Sequence, residues 1–189
     1  SSNGSTASRR WRKFVGRILQ WPLTCRLAKP ALELKTARET NQAMRIYLDN
    51  CCLQRPLDDQ THPRIKVETE ALFAVLATVN ANEVVLLSSE ALYYEISCIP
   101  DETRRTEALA ILSLASENLQ VTDTVETLAL AFEQQGLQAM DAIHLALAST
   151  ANADYFCTCD DKLFRKAQAI SALACKITTL LSLVPEVTK

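Results

Sequence analysis

From position 44 onward, short apolar runs alternate with longer segments in which apolar residues return every three to four positions. RIYLD (45–49) has the pattern of a buried strand. The polar run RPLDDQTHP then leads into residues 64–80, where Ile65, Leu72, Phe73, Leu76 and Val79 fall near one face of an amphipathic helix. EVVLLS (83–88) predicts a second strand, and Ser88 or Ser89 is placed to cap a helix from Glu90 to about Cys98. Pro100 breaks that helix and Asp101 opens the next, about 102–117. LQVTD (119–123) reads as a short strand, 124–135 as a helix stopping at Gly136, and 138–150 as a helix rich in Ala and Leu. DYFCTC (154–159) predicts a strand, residues 161–173 a helix, and KITTLL (176–181) a last strand. Strands alternating with helices need crossover connections, so the chain is an α/β protein with a mainly parallel sheet. In such sheets ligands bind beyond the carboxyl ends of the strands.

That rule draws the eye to acids. Asp49 directly follows Ile46-Tyr47-Leu48, and Asp160 directly follows Tyr155-Phe156-Cys157-Thr158-Cys159. Either one alone reads as a turn or helix-cap residue. Two at matching strand ends can face one cleft. Asp141 sits in the first turn of LQAMDAIHLALA, where the helix dipole favours a carboxylate. That helix is apolar on several sides, and a buried acid needs a partner or a metal. Glu95 lies among Tyr93, Tyr94 and Ile96, and alone would be a surface acid. Glu90, five residues earlier, falls on a different helical face and is discounted.

Composition narrows the chemistry. The chain has 189 residues and 48% apolar content, which suits one ordinary domain plus an appendage. No apolar stretch approaches the ~20 residues that cross a bilayer, so no membrane role is expected. The net charge of −2 hides an asymmetry: residues 1–43 carry nine Lys/Arg against two Asp/Glu, and residues 44–189 eleven against twenty. A domain that acidic does not hold nucleic acid by bulk attraction; it needs cations or a local basic strip. Only Gly136 of the three glycines lies beyond residue 43, which excludes a P-loop and a G-x-G-x-x-G turn. The seven cysteines (Cys25, Cys51, Cys52, Cys98, Cys157, Cys159, Cys175) include no C-x-x-C pair. They read as free thiols packed as small hydrophobes in a reducing cytosol, with a zinc or redox site as the competing reading.

Residues 1–43 form a basic extension. SSNGSTAS (1–8) is expected to be disordered, 9–28 to form a basic amphipathic helix, and 29–43 a linker or helical extension. The first methionine is Met44, so this segment reads as a cloning remnant, an over-extended reading frame or a transit peptide. The folded domain, 44–189, is expected to begin at about Met44.

The ordered set of acids carries a resemblance. YLDNCCL (47–53), SSEALYYE (88–95), DAIHLALA (141–148) and TCDDKLFRKA (158–167) resemble the PIN-domain family, across residues 44 to about 183. RPLDDQ (55–60) is similar to a bacterial, often cyanobacterial, branch close to VapC-like toxins. The resemblance implies a three-layer α/β/α PIN-like fold. It also implies an acidic pocket of Asp49, Glu95, Asp141 and Asp160 holding Mg²⁺ or Mn²⁺, with Asp49 and Asp141 nearest the ion. Asn50 stands where many members have Thr or Ser, and it and Asp161 are supporting candidates. His144, one turn after Asp141, is expected to pack or hydrogen-bond. Arg55, Lys162 and Arg165 are candidate RNA contacts, the last two equally readable as a solvated face; Arg104 and Arg105 read as plain surface.

The activity implied is cytoplasmic hydrolysis of RNA to 5′-phosphate and 3′-hydroxyl ends. The leading form is the toxin half of a toxin–antitoxin pair, blocked by a small antitoxin protein and able to pair as a homodimer. The alternatives are an RNA-processing nuclease outside any toxin system and an inactive domain that only binds RNA or protein. A haloacid-dehalogenase-like phosphatase would need a second Asp where Cys51 stands. A flavodoxin-like or receiver domain would lack the D-A-x-H-L-A helix.

Overall fold

The structure, a computed structural model, describes residues 43–170 and 173–188. The expectations for residues 1–42 lie outside them. Five strands form one sheet: β1 (Met44–Leu48), β2 (Val84–Ser89), β3 (Glu117–Leu119), β4 (Tyr155–Cys157) and β5 (Lys176–Thr178). They lie in the order β3-β2-β1-β4-β5, and all four pairings are parallel. The helices are α1 (Asn50–Leu53), α2 (Pro63–Asn80), α3 (Glu90–Ser97), α4 (Glu102–Leu112), α5 (Asp123–Gln134), α6 (Ala139–Thr150), α7 (Asp161–Gln168) and α8 (Leu180–Val187). A 3₁₀ turn, Arg55–Leu57, follows α1.

The central strand is buried on both faces, which is why Ile46, Tyr47 and Leu48 run without a polar break. Successive crossovers run outward from β1 to β2 and β3, then return to the other flank through β4 and β5. With right-handed crossovers, that reversal puts helices on opposite faces of the sheet and gives three layers. It also opens a crevice between the carboxyl ends of β1 and β4, where the strand order switches direction. Helix α6 shows how the sequence specifies its place: Ala142 through Ser149 are all buried, and such an all-round apolar helix belongs inside. It packs against α5, whose Val125, Ala129 and Phe132 supply the facing stripe. Leu72, Val75 and Val79 of α2 are likewise buried on the helix that meets α8.

Several boundaries differ from the sequence reading, each for a local reason. Phe73 has the spacing of the α2 core face but is 55% exposed; the buried stripe runs through Ala71, Leu72, Val75 and Val79. The third strand is Glu117–Leu119 rather than 119–123, because Val121 N–H donates to the Glu90 carboxylate and Thr122 caps α5. The last strand ends at Thr178. Thr179 then caps α8 with its hydroxyl, and Leu180, Leu183 and Val187 recur at helical spacing despite Pro185. Helices α4 and α7 stop at Leu112 and Gln168, short of the expected 117 and 173. Gly136, just past α5, has φ +97, the left-handed conformation that closes a helix without a side-chain penalty. Among the described residues, no helix is long and apolar enough to cross a membrane.

Candidate active site

Asp49 and Asp160 line one cavity where the strand order switches. Asp49 leaves β1, and its backbone N–H donates to Cys157 O of β4 at 2.9 Å, binding the two strand ends together. Its carboxylate is the N-cap of α1, accepting from Asn50 N–H at 2.8 Å, from the Thr158 hydroxyl at 2.8 Å and from the Cys51 thiol at 3.0 Å. Asp160 caps α7, accepting from Lys162 N–H at 2.6 Å and Leu163 N–H at 3.1 Å. Both acids therefore play the capping role that a lone acid there suggests. The fold nonetheless brings them to a common cavity.

That cavity, about 360 Å³, is lined by Asp49, Glu95, Asp141 and Asp160 together with Asn50, Cys51, Gln54, Arg55, Asp58 and Arg104. All four acids singled out in the sequence line it. Carboxylate oxygens of Asp49 and Glu95 and a ring nitrogen of His144 lie within 4.8 Å of one another. Asp141, on the first turn of α6, is half-buried.

The electrostatics follow from crowding. Burial pushes the Asp49 carboxyl well above its usual range, with Cys51 and Glu95 adding to the rise and His144 offsetting part of it. Burial also raises Asp141, helped by the negative charges of Asp160 and Glu95 and opposed by His144 and Lys166. For Glu95, burial acts upward, but the His144 hydrogen bond and charge and the Asn50 amide outweigh it, leaving the carboxyl below its usual value. Burial alone would lower His144; Glu95, Asp49 and Asp141 more than compensate, so it is raised.

His144 is buried behind the cavity wall and does not line it. Its Nε2 lies 3.1 Å from Glu95 Oε2 and its Nδ1 2.7 Å from the Tyr47 hydroxyl, which is 2.6 Å from Ser89 Oγ. Ser89 in turn accepts from Leu92 N–H at 3.1 Å as the cap of α3. When the imidazole is neutral, one direction of donation satisfies the whole chain: Leu92 to Ser89, Ser89 to Tyr47, Tyr47 to His144, His144 to Glu95; when it is protonated, Tyr47 accepts from it instead. This ladder joins β1, β2, α3 and α6 and fixes where Glu95 points.

The remaining candidates divide. Asn50 lines the cavity, and its Oδ1 accepts from the Gln54 amide at 3.1 Å. Asp161 does not line it; its carboxylate accepts two hydrogen bonds from Arg64, both 2.7 Å. Lys162 and Arg165 are exposed on α7, outside the lining. Arg55 lines the cavity and is paired with Glu68 at 2.7 Å and Asp58 at 3.0 Å. Arg104, read from sequence as plain surface, lines it too, donating to Asp58 at 3.0 Å and to Leu57 O at 2.7 Å. Gln54, Asp58 and Arg104 were missed as lining residues. RPLDDQ pointed at Asp58, but nothing in the sequence says that α4 folds against the turn after α1.

The four candidate carboxylates share the cavity with Asp58 and the Cys51 thiol, and its two arginines are already engaged by Asp58 and Glu68. Negative charge so crowded and so little neutralised suits a hard divalent cation of the Mg²⁺ or Mn²⁺ kind.

A family model described as the PIN domain matches residues 46–169. Among solved structures the chain is similar to VapBC2 from Rickettsia felis, described as bound to a DNA fragment from their promoter. The similarity has 16% identity and a TM-score of 0.47, and covers 71% of this chain and 98% of that one. No curated protein matches the chain.

Proposed function

We propose that this chain, which belongs to the PIN-domain family, is an endoribonuclease that uses Mg²⁺ or Mn²⁺ to hydrolyse RNA phosphodiester bonds. The observation that carries the reading is the convergence of Asp49, Glu95, Asp141 and Asp160 on one cavity from four separate elements. Those carboxylates would hold the cation, with Asn50 beside them. When bound, the cation supplies positive charge for the scissile phosphate and lowers the pKa of a water.

The protein's own part is positioning. Thr158 and Asn50 hold the Asp49 carboxylate at the mouth of the strand switch. The His144–Tyr47–Ser89 ladder holds Glu95 from behind, so His144 acts as a positioning residue. Arg55 and Arg104 at the wall, each already paired with Asp58, and Lys162 and Arg165 on α7 beyond Asp160 are cations that RNA phosphates would meet in an otherwise acidic domain. No side chain is needed as a covalent nucleophile.

Incubating the full chain with end-labelled RNA tests the reading. Cleavage is expected with Mg²⁺ or Mn²⁺, and loss of cleavage with EDTA, Asp49→Asn or Asp141→Asn. Cleavage undiminished by the chelator or by both variants would contradict it.

The physiological form proposed is the toxin of a toxin–antitoxin pair, a reading that rests on the VapC-like RPLDDQ and acid pattern. A small antitoxin protein would then cover the cavity, and the toxin would pair as a homodimer. Growth arrest on expression, relieved by a small protein encoded beside it, separates this form from an RNA-processing nuclease.

A further inference from the structure

Beside the carboxylates, and touching them only through Cys51, lies a group of sulfurs that the proposed hydrolysis does not use. Cys51 and Cys52 open α1, and Cys159 ends the segment after β4. The fold closes 107 residues of sequence separation to set Cys52 Sγ 3.5 Å from Cys159 Sγ. Sulfurs of Cys51, Cys52 and Cys159 all lie within 4.8 Å of one another, and Cys157 Sγ is 4.0 Å from Cys52 Sγ.

We propose that Cys51, Cys52 and Cys159 form a second metal site, one for a thiophilic d¹⁰ cation such as Zn²⁺.

Three features support it. Thiolates bound to Zn²⁺ at ~2.3 Å in tetrahedral geometry stand roughly 3.8 Å apart. The 3.5 Å and sub-4.8 Å separations here need only small rotamer adjustments to reach that figure. The second feature is orientation. Cys159 N–H donates to Cys51 Sγ at 3.2 Å, the kind of amide-to-sulfur bond that holds a ligating sulfur in place. Third, charge and access are both provided. Arg55, shared with Asp58 and Glu68, reaches Cys159 O at 3.5 Å and brings a guanidinium beside the three sulfurs. Cys51 lines the open cavity, giving the ion a way in, while Cys52 and Cys159 are buried.

The three thiols would release their protons to solvent as the ion binds. Hard Mg²⁺ or Mn²⁺ prefers the neighbouring oxygens, so softness separates the two sites. They share a wall through the 3.0 Å contact of Cys51 Sγ with Asp49 Oδ2.

The test uses the reduced full chain under anaerobic conditions. Cd²⁺ is titrated to read sulfur-to-metal charge-transfer absorbance, and Zn²⁺ uptake is measured against a chromophoric chelator. One equivalent bound with a charge-transfer band is expected. The band should be lost in Cys52→Ser and Cys159→Ser and retained in Cys25→Ser, Cys98→Ser and Asp141→Asn. In the unmutated chain, Zn²⁺ should shield three thiols from a thiol reagent, a readout that does not depend on any variant folding. No band, a band that survives Cys159→Ser, no shielding, or an air-formed Cys52–Cys159 disulfide in a chain that takes up no metal when reduced would each overturn the proposal. Because the readout is binding, it stands apart from the RNA cleavage assay.

Discussion

Asp49→Asn should make the protein more stable while removing its activity. The Asp49 carboxylate is buried, and a Glu95 oxygen approaches it within 4.8 Å. Two unit charges at that distance repel by about 1 kcal/mol in bulk water and about 3.5 kcal/mol at an effective dielectric near 20. The Asn50 N–H bond survives the substitution, and the Thr158 hydroxyl and Cys51 thiol can turn to accept from the new amide, at some loss of bond strength. A net gain of about 1–2 kcal/mol is expected, or roughly 2–8 °C in Tm for a domain of this size.

The pH dependence fixes the cause. Burial first, then Cys51 and Glu95, raise the folded-state pKa of Asp49 above its ordinary 3.8. Between the two values the folded state binds the extra proton, so the unmutated protein loses stability as pH rises through that window. The gap to Asp49→Asn should open as pH climbs from about 3.8, level off above the folded-state pKa, and close again in acid. Thermal melts in EDTA across pH 3–8 measure it. In saturating Mg²⁺ or Mn²⁺ the gap should shrink, since ligand binding stabilises only the protein that keeps its carboxylates. An Asp49→Asn protein less stable than the parent at neutral pH, with a gap independent of pH, would refute the reasoning and leave Asp49 as an ordinary structural acceptor.

Other expectations follow from single contacts. Tyr47→Phe removes the hydroxyl between Ser89 and His144 and should cost about 1–3 kcal/mol in urea unfolding, as buried partners lose a bond; an unchanged midpoint would mean the ladder is not formed. Phe132→Ala empties a fully buried site between α5 and α6 and should cost about 3–5 kcal/mol by the same measurement. Lys162→Gln should weaken RNA binding and reduce the salt slope of log Kd by about 1 if that side chain meets a phosphate, read by fluorescence anisotropy in Ca²⁺. Glu117→Gln breaks the half-exposed ion pair with Arg45. It should cost under about 1 kcal/mol at pH 7, and less as acid protonates Glu117, whose pKa that pair holds below its ordinary value.

The strands that matter most were legible because they are buried on both faces: Ile46-Tyr47-Leu48 can hardly be anything but a central strand. Once β1 and β4 were placed, the acids after them marked the cleft by topology alone. Asp141 was legible from its place in the first turn of an apolar helix, but Glu95 only through the family pattern, since nothing local to SSEALYYE tells a cavity acid from a surface one. What stayed hidden came from tertiary context. Phe73 has the spacing of a core residue, but the sheet lies under the neighbouring stripe. Val121 looks like strand until Glu90 takes its N–H. Arg104 looks like surface until α4 is laid against the turn at Leu57. The thiols of Cys51, Cys52 and Cys159 read as separate small hydrophobes because no short spacing announces that they meet.

The most direct test of the acidic cage is Mn²⁺ binding followed by electron paramagnetic resonance on the full chain. The account expects the free-Mn²⁺ signal to fall as the protein takes up the ion, and this uptake to be strongly weakened in Asp49→Asn, Asp141→Asn and Glu95→Gln but not in Asp161→Asn. Uptake that is absent, or unchanged by the first three substitutions, would contradict it.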